Sequence, residues 1–250
     1  MPLEIFQITP IEWFLVSLCA VLVGFAKTGI NGAGILVVPI FASVFPAKES
    51  AGILLPMLCV ADILAVWYYR RHAQWSKLWA LFPWVVVGII FATFLANQLS
   101  NDHIKKVIGV IVLSIIVLSL FVKKINFDGL NTTNRTIVSG VTGLSGGVAT
   151  MLANAAGPIM NTYLLLMKLP KNEFIGTGSW FFLIVNFFKI PFMLSLGSMN
   201  QHSLTFNAKM IPLILFGGFL GIQLVKWIPE KAFKRVVLIL TILAALKLLL

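Results

Sequence analysis

The chain has few charged residues and even fewer acidic ones. Only 11% of its 250 residues are charged, with 19 Lys and Arg against 8 Asp and Glu. Its mean hydropathy is +0.99. A water-soluble domain of this length carries far more charge on its surface. The scarcity of charge therefore predicts a protein embedded in a membrane.

Cysteine and catalytic motifs are also scarce. Cys19 and Cys59 lie inside apolar segments without the spacing of a metal or redox pair, so we interpret them as small buried hydrophobes. The sequence contains no HExxH, GxSxG, phosphate-loop or paired-carboxylate pattern. We therefore expect no enzyme, no cofactor and no metal.

The net charge of +11 raises the question of a nucleic-acid partner. In a membrane protein, excess Lys and Arg mark cytoplasmic loops and contacts with anionic lipid. We adopt that interpretation, so we expect a lipid bilayer as the partner and do not expect a nucleic acid.

Long apolar runs fill most of the chain. Each run is close to the roughly 20 residues that a membrane-spanning helix needs. They predict an all-α, multi-pass membrane protein. The runs cover residues 51–69, 78–99, 104–122, 174–189, 210–225 and 232–250.

A duplication divides this single membrane domain into two homologous halves, residues 1–125 and 126–250. Residues 24–39 (GFAKTGINGAGILVVP) pair with residues 143–158 (GLSGGVATMLANAAGP). Matching Gly-broken segments in two halves are typical of transporters and point to the substrate site. The alternative is a duplicated bundle whose glycines only allow close helix packing. Each half has one broken segment followed by three spans. In the first half, the broken segment is 11–45 and the spans are at about 50–70, 78–99 and 104–122. In the second half, the broken segment is 135–167 and the spans are at about 173–195, 207–226 and 231–250.

The basic residues favour one of two topologies. If each broken segment crosses the membrane once, the basic loop residues divide almost evenly between the two sides. If each segment enters, turns at its glycines and returns, five lie on one side and twelve on the other. The second arrangement matches the asymmetry of membrane insertion. It predicts two re-entrant hairpins, inverted repeats, and both termini outside the cytoplasm.

The broken segments provide the candidate site. Gly-rich turns at 29–34 and 143–147 are expected to line a cavity and to aim helix N-termini at an anion. For the polar side chains, hydrogen bonding between helices is the alternative role. The candidate substrate-binding residues are Lys27, Thr28, Gly29, Asn31, Gly32, Gly34, Ser145, Gly146, Gly147, Thr150, Asn154 and Lys189.

Three of the charged residues lie inside apolar segments. Lys27 precedes the first turn, Lys189 lies in FFLIVNFFKIPF, and Asp62 is the matching acid, which the duplication pairs with Asn186. Charge at membrane depth is costly and indicates function. Asp62 is a candidate partner for a lysine or carrier of a coupling proton, with a purely structural role as the alternative. For Lys189 the alternative is that its side chain extends to the membrane surface.

The two Gly-rich segments, each ending in proline (Pro39 and Pro158), and the stretch MLANAAGPIMNTYLLLMKLPKNEFIGTGSWFFLIVNFFKIP resemble the sulfite exporter TauE/SafE family. The resemblance covers residues 13–248 and implies transport of sulfite or organosulfonates across the bacterial inner membrane. One departure is that Gly146 stands where the first copy has Lys27, so the two copies differ in charge.

We therefore expect a secondary transporter that exports a small anion by alternating access around a midplane site, with protons as a candidate coupling ion. A passive anion channel is the alternative within transport. An enzyme or assembly factor that handles a sulfur compound is the alternative outside it. Gly217 and Gly221 form a GxxxG pattern that packs helices either within the chain or in a homodimer.

Overall fold

The computed structural model describes residues 8–29, 34, 37–45, 47–96, 98, 132–229, 231–233, 235–236 and 239. The predicted span at 104–122 and most of the one at 231–250 lie outside these residues. Throughout the described residues the fold is helical, which confirms the all-α prediction. The helices are α1 (Pro10–Thr28), α2 (Val37–Val44), α3 (Ala47–Tyr69), a 3₁₀ turn (Arg70–His72), α4 (Trp75–Ala96), α5 (Thr132–Ala153), α6 (Gly157–Leu166), α7 (Lys171–Ser195) and α8 (Gln201–Trp227).

Six of these helices are long and apolar enough to cross a membrane. Four of them, α3, α4, α7 and α8, correspond to predicted spans. The other two are α1 and α5, the first arms of the broken segments. Local sequence fixes where helices begin: Thr9 and Glu12 form a capping box at the start of α1, and Asn200 with Ser203 does the same for α8.

The breaks in the two segments fall at different places. In the first segment, α1 ends at Thr28, close to the predicted turn. In the second, the predicted turn at 143–147 is wrong, because α5 continues through these glycines to Ala153. The chain turns instead at Asn154, whose φ of 53° is left-handed. Asparagine adopts this conformation more readily than most residues.

Both broken segments fold back on themselves. Phe206 contacts Trp13 near the start of α1 and Phe45 just after α2, so the first segment begins and ends beside the same side chain. In the second segment, the hydroxyl of Tyr163 in α6 lies 3.2 Å from that of Ser139 in α5. A re-entrant hairpin requires this geometry. The depth of each turn in the bilayer stays a prediction.

Glycines allow helices from opposite halves to approach closely. A Cβ added at Gly29 would lie 3.0 Å from the Cα of Gly221, and one added at Gly147 would lie 3.0 Å from the Cα of Gly88. Helix α1 thereby packs against α8, and α4 packs against α5. Gly143 and Gly147 therefore serve close packing, the role that the sequence had left as an alternative.

The GxxxG pattern of α8 is used within the chain. A Cβ on Gly217 would collide with the backbone of Val21, and one on Gly221 with Thr28. Since α1 covers this face, the pattern gives no support to a homodimer, which stays a prediction.

Helices α3 and α7, which the predicted duplication pairs, pack antiparallel. Gly52 near the start of α3 meets Ser198 beyond the end of α7. At the other end, the backbone N–H of Gln74 donates to the Thr177 hydroxyl. Antiparallel packing of two equivalent spans is the relation that inverted repeats require, because the axis relating them must be perpendicular to the helices.

The described residues form two hydrophobic cores that divide the helices differently from the duplication. The first core joins α1, α2, α8 and one face of α3, through Val16, Phe41 and Met57. The second comprises α4, α5, α6, α7 and another face of α3, through Leu55 and Ile89, and it also includes Val225 at the end of α8. Each core combines a hairpin from one half with a span from the other. We call them the first bundle and the second bundle.

The glycine contacts predict a specific pattern of stability. We expect Gly24→Ala to lower the stability of the detergent-solubilised protein by about 1–3 kcal/mol, because the new methyl would overlap the backbone of Ile214 and Gly218. Gly157→Ala is the matched control, because nothing lies within 4 Å of its added Cβ. Thermal unfolding of both variants measures the difference. Equal midpoints for Gly24→Ala and wild type would contradict the close α1–α8 approach.

Candidate functional site

A continuous chain of polar side chains connects the two bundles. It begins at Lys27 in the last turn of α1, whose Nζ lies 2.8 Å from Oδ1 of Asp62 in α3. Nδ2 of Asn186 in α7 then donates to Oδ2 of Asp62 across 2.6 Å. The two residues that the duplication pairs, Asp62 and Asn186, are thus hydrogen-bonded to each other where the two halves meet.

Lys189 continues the chain into the second broken segment. Its Nζ donates to Oδ1 of Asn154 at 2.5 Å, to Oγ1 of Thr150 at 3.1 Å and to Oδ1 of Asn186 at 3.4 Å. An ammonium group has three N–H donors. All three therefore have a protein oxygen, and Lys189 does not extend to the membrane surface.

The cluster is almost completely buried. Asp62 and Lys189 have 0% of their side chains exposed, whereas Lys27 retains 14%. Buried charges are tolerated only where partners replace the lost water. Within the Lys27–Asp62 pair, Lys27 is the member that keeps exposed surface.

The ring of Phe182 covers the ammonium group of Lys27, with Nζ 3.9 Å from the ring centroid. Our sequence analysis missed this residue. Phe182, Asn186 and Lys189 recur at i, i+4 and i+7, which places them on one face of α7. That spacing was the sequence signal that could have identified Phe182. The face of an aromatic ring attracts a cation, and the attraction strengthens where water is excluded.

The break after α5 positions Asn154 for its role. Because the backbone leaves the helix here, the side chain can bridge two elements. Its Oδ1 accepts from Lys189, and its Nδ2 donates to the carbonyl of Ala51 in α3 at 2.9 Å. The broken helix therefore fixes Lys189 and ties the second hairpin to α3.

The cluster contains two lysines and, within the described part of the chain, one bonded carboxylate. Lys27 pairs with Asp62. The oxygens around Lys189 belong to neutral amides and a hydroxyl. Among the described residues, Lys189 is therefore held by hydrogen bonds and not by an ion pair.

The structure brings together six of the predicted site residues: Lys27, Asp62, Thr150, Asn154, Asn186 and Lys189. The predicted residues Asn31 and Gly32 lie outside the described residues. The other predicted residues make contacts outside the cluster. In the first segment, the Thr28 hydroxyl donates to the Gly218 carbonyl at 2.6 Å, Gly29 packs on Gly221, and Gly34 lies near Ala26. In the second segment, the Ser145 hydroxyl donates to the Val141 carbonyl of its own helix, Gly146 faces Ile159, and Gly147 packs on Gly88.

Cys19 and Cys59 are free and buried, as predicted. Over the described ranges, no group of three or more His, Cys, Asp or Glu is placed to hold a metal ion. The Lys27–Asp62–Asn186–Lys189 cluster itself offers ammonium groups and amide N–H donors.

Six membrane-length helices around a buried polar cluster indicate a multi-pass membrane protein. The family model described as sulfite exporter TauE/SafE matches residues 16–248, so the chain belongs to this family of membrane transporters for anions such as sulfite. The family predicted from the sequence is thereby confirmed. No curated protein and no solved structure matches the chain.

The Lys27–Asp62 pair can be tested by a double-mutant cycle of protein stability. Lys27→Met leaves a buried carboxylate without its cation, and such a loss costs about 3–5 kcal/mol. We expect Lys27→Met together with Asp62→Asn to recover most of that stability, because both charges are then absent. Thermal unfolding in detergent measures the cycle.

Lys226→Met, which removes an exposed lysine, is the control for lysine loss. If the Lys27 and Asp62 substitutions change the stability by strictly additive amounts, the two side chains do not interact and the pairing is wrong.

Proposed function

We propose that the protein is a secondary transporter that exports small anions, sulfite or an organosulfonate, by alternating access around the Lys27–Asp62–Asn186–Lys189 cluster. The two lysines of this cluster, with Asp62 as the one bonded carboxylate among the described residues, are the observation that carries the proposal. An ammonium group inside the membrane is stabilised when an anion enters. Membership of the TauE/SafE family supports sulfite as the first substrate to test.

The two lysines have different roles in binding. A small oxyanion loses strongly bound water when it enters the protein, so charged donors must replace that water. Lys27 keeps some exposed surface and forms an ion pair with Asp62, so it offers donors to the anion. Lys189 contributes its charge from a fixed position, since three protein oxygens already hold it.

The moving parts in this proposal are the two bundles, not the two halves of the sequence. Glycine packing joins α1 to α8 and α4 to α5, so neither half moves without a helix of the other. The polar cluster lies between the bundles. Lys27 is in the first bundle, and Thr150, Asn154 and Lys189 are in the second. Rocking of one bundle against the other would therefore expose the same anion to each side in turn.

Asp62 is the proposed carrier of a coupling proton. An anion that binds Lys27 competes with Asp62 for the ammonium group, and the carboxylate is then left buried with Asn186. An unpaired buried carboxylate is costly, and a proton removes that charge. Anion binding and proton binding would in this way favour each other.

The orientation follows from the basic end of the molecule. Three contacts bring basic segments together there: Lys171 donates to the carbonyl of Val225 at 2.8 Å, Gln74 bonds Glu173, and Tyr163 bonds the carbonyl of Lys77. We propose that this end faces the cytoplasm of a bacterial inner membrane, with both termini on the opposite side. Exposed Trp67, Tyr68, Trp75, Trp79 and Trp84 form an aromatic belt near it.

Thiol labelling tests the orientation and the re-entry together. Single cysteines replace Ile11, Glu49, Arg71 or Lys168 in a chain without Cys19 and Cys59. We expect a membrane-impermeant maleimide to label positions 11 and 49 in right-side-out vesicles, and positions 71 and 168 in inside-out vesicles. Opposite-sided labelling of 11 and 49 would show that the first segment crosses the membrane once, contrary to the proposal.

Transport is tested by uptake of radiolabelled sulfite into proteoliposomes, with and without a pH gradient. We expect saturable uptake by wild type and a loss of about tenfold or more in Lys27→Ala and Lys189→Met, since each removes a positive charge from the site. Lys226→Ala, an exposed lysine, is the matched control and should transport normally.

Acceleration of uptake by the pH gradient supports proton coupling. Uptake that does not saturate and ignores the gradient indicates a passive channel. If correctly folded wild type moves neither sulfite nor organosulfonates, the transport proposal is wrong, and an enzyme or assembly factor for a sulfur compound becomes the next hypothesis.

A further inference from the structure

We propose that Lys171 is a latch that holds the basic end of the molecule closed, and that α7 and α8 separate at this end when the latch releases. This inference rests on the proposed function, because it names the contact that opening towards the cytoplasm must break. Three features of α7 and α8 carry it: a polar contact at the basic end, apolar packing around that contact, and a short connection at the opposite end.

The latch is a contact between the start of α7 and the end of α8. The Nζ of Lys171, the first residue of α7, donates to the carbonyl of Val225 at 2.8 Å and to the carbonyl of Ile228 at 2.9 Å. Val225 lies in the last turn of α8, and Ile228 directly follows that helix. One side chain of α7 therefore binds two carbonyls at the end of another helix.

The chemistry of the latch suits a contact that forms and breaks. The last carbonyls of a helix have no partner within it and form the negative end of its dipole, so an ammonium group stabilises them. The contact is only partly buried. Water can therefore replace the ammonium group at these carbonyls when the helices separate, and no buried polar group is left without a partner.

Apolar side chains close the same end around the latch. Val225 and Phe233 are buried and belong to the core of the second bundle, whereas Phe206 and Ile214 of α8 belong to the core of the first. The ring of Phe233 packs edge to face on Phe174 of α7, with 5.6 Å between the ring centroids. The end of α8 is therefore seated on the second bundle, and the basic end is closed in this structure.

At the opposite end, a short connection joins α7 to α8. It contains Gly197, whose φ is 68°, and a Cβ added to this glycine would have nothing within 4 Å. Helix α7 ends at Ser195 and α8 begins at Gln201. A few residues between two helices are enough to absorb a change of angle, and glycine does so most readily. The connection is therefore the hinge in this inference.

The polar cluster lies between the latch and the hinge. Asn186 and Lys189 are in α7, between Lys171 at one end and Gly197 beyond the other. Helix α3, which carries Asp62, packs against both α7 and α8. Rotation about the hinge with release of the latch would thus open a path from the basic end to the cluster, which an exported anion needs.

Distances between spin labels test the latch without a transport assay. We expect Lys171→Met to increase the fraction of molecules with a long basic-end distance by about tenfold or more, because two charge-assisted hydrogen bonds are lost. The distance at the opposite end should not lengthen, because the hinge is there. In a chain without Cys19 and Cys59, the labelled cysteines replace exposed residues, Lys168 and Lys226 at the basic end or Gln98 and His202 at the opposite end.

Two control variants separate the contact from the charge. Lys171→Arg keeps the charge and the donors, so it should stay mostly closed. Lys231→Met removes an exposed lysine from the same end and should leave the distances unchanged. An unchanged basic-end distance in folded Lys171→Met would overturn the inference, as would an equal shift in Lys231→Met or an equal lengthening at the opposite end.

A locked variant decides the question if Lys171→Met does not fold. Cysteines replace Asn172 and Ile228 beside the latch, and a short bismaleimide joins them. We expect this crosslink to lower sulfite uptake into proteoliposomes by about tenfold or more, since the basic end cannot open. The two single-cysteine variants, treated with the same reagent, should transport normally.

Undiminished uptake by the crosslinked protein would overturn the inference. The proposed function fails separately, when folded wild type transports neither sulfite nor organosulfonates, whatever the distances between the labels.

Discussion

The Lys27–Asp62 ion pair is the interaction on which the rest of the site depends. A charge buried among apolar helices is stable only if another group compensates it, and here each half of the duplication supplies part of the compensation. The first half provides Lys27 and Asp62, and the second provides Asn186, Lys189 and the oxygens of Thr150 and Asn154. The cluster is therefore complete only when the two halves are packed together.

Close packing between the halves makes this possible. Helix α1 brings Lys27 to Asp62 because Gly24 and Gly29 allow α1 to lie against the backbone of α8. In the second bundle, Gly147 and Gly88 do the same for α5 and α4, and α5 then carries Thr150 and Asn154 to Lys189. The glycines thus position the charges without contacting them. For Gly29 and Gly147, the predicted role in a turn concealed this packing function.

Much of the fold and part of the site were predictable from sequence. Helix positions followed from apolar length, because a bilayer-spanning helix needs a minimum run. Lys27, Asp62 and Lys189 were identifiable because isolated charges are rare in apolar segments. The break at Asn154 was not found, because glycine is the usual signal for a turn and these glycines lie inside α5. The partners of Lys189 and the ring over Lys27 depend on tertiary packing, which no single segment encodes.

In the proposed function, one anion binds beside Lys27 at the junction of the two bundles. A crystal structure of the protein with bromoethanesulfonate tests this binding, because the anomalous signal of bromine locates the ligand. We expect one bromine site next to the Lys27–Asp62–Asn186–Lys189 cluster, with the sulfonate in contact with the Lys27 ammonium group, and no such site in Lys27→Ala. A bromine site elsewhere in the molecule that persists in Lys27→Ala would show that the anion does not bind at this cluster.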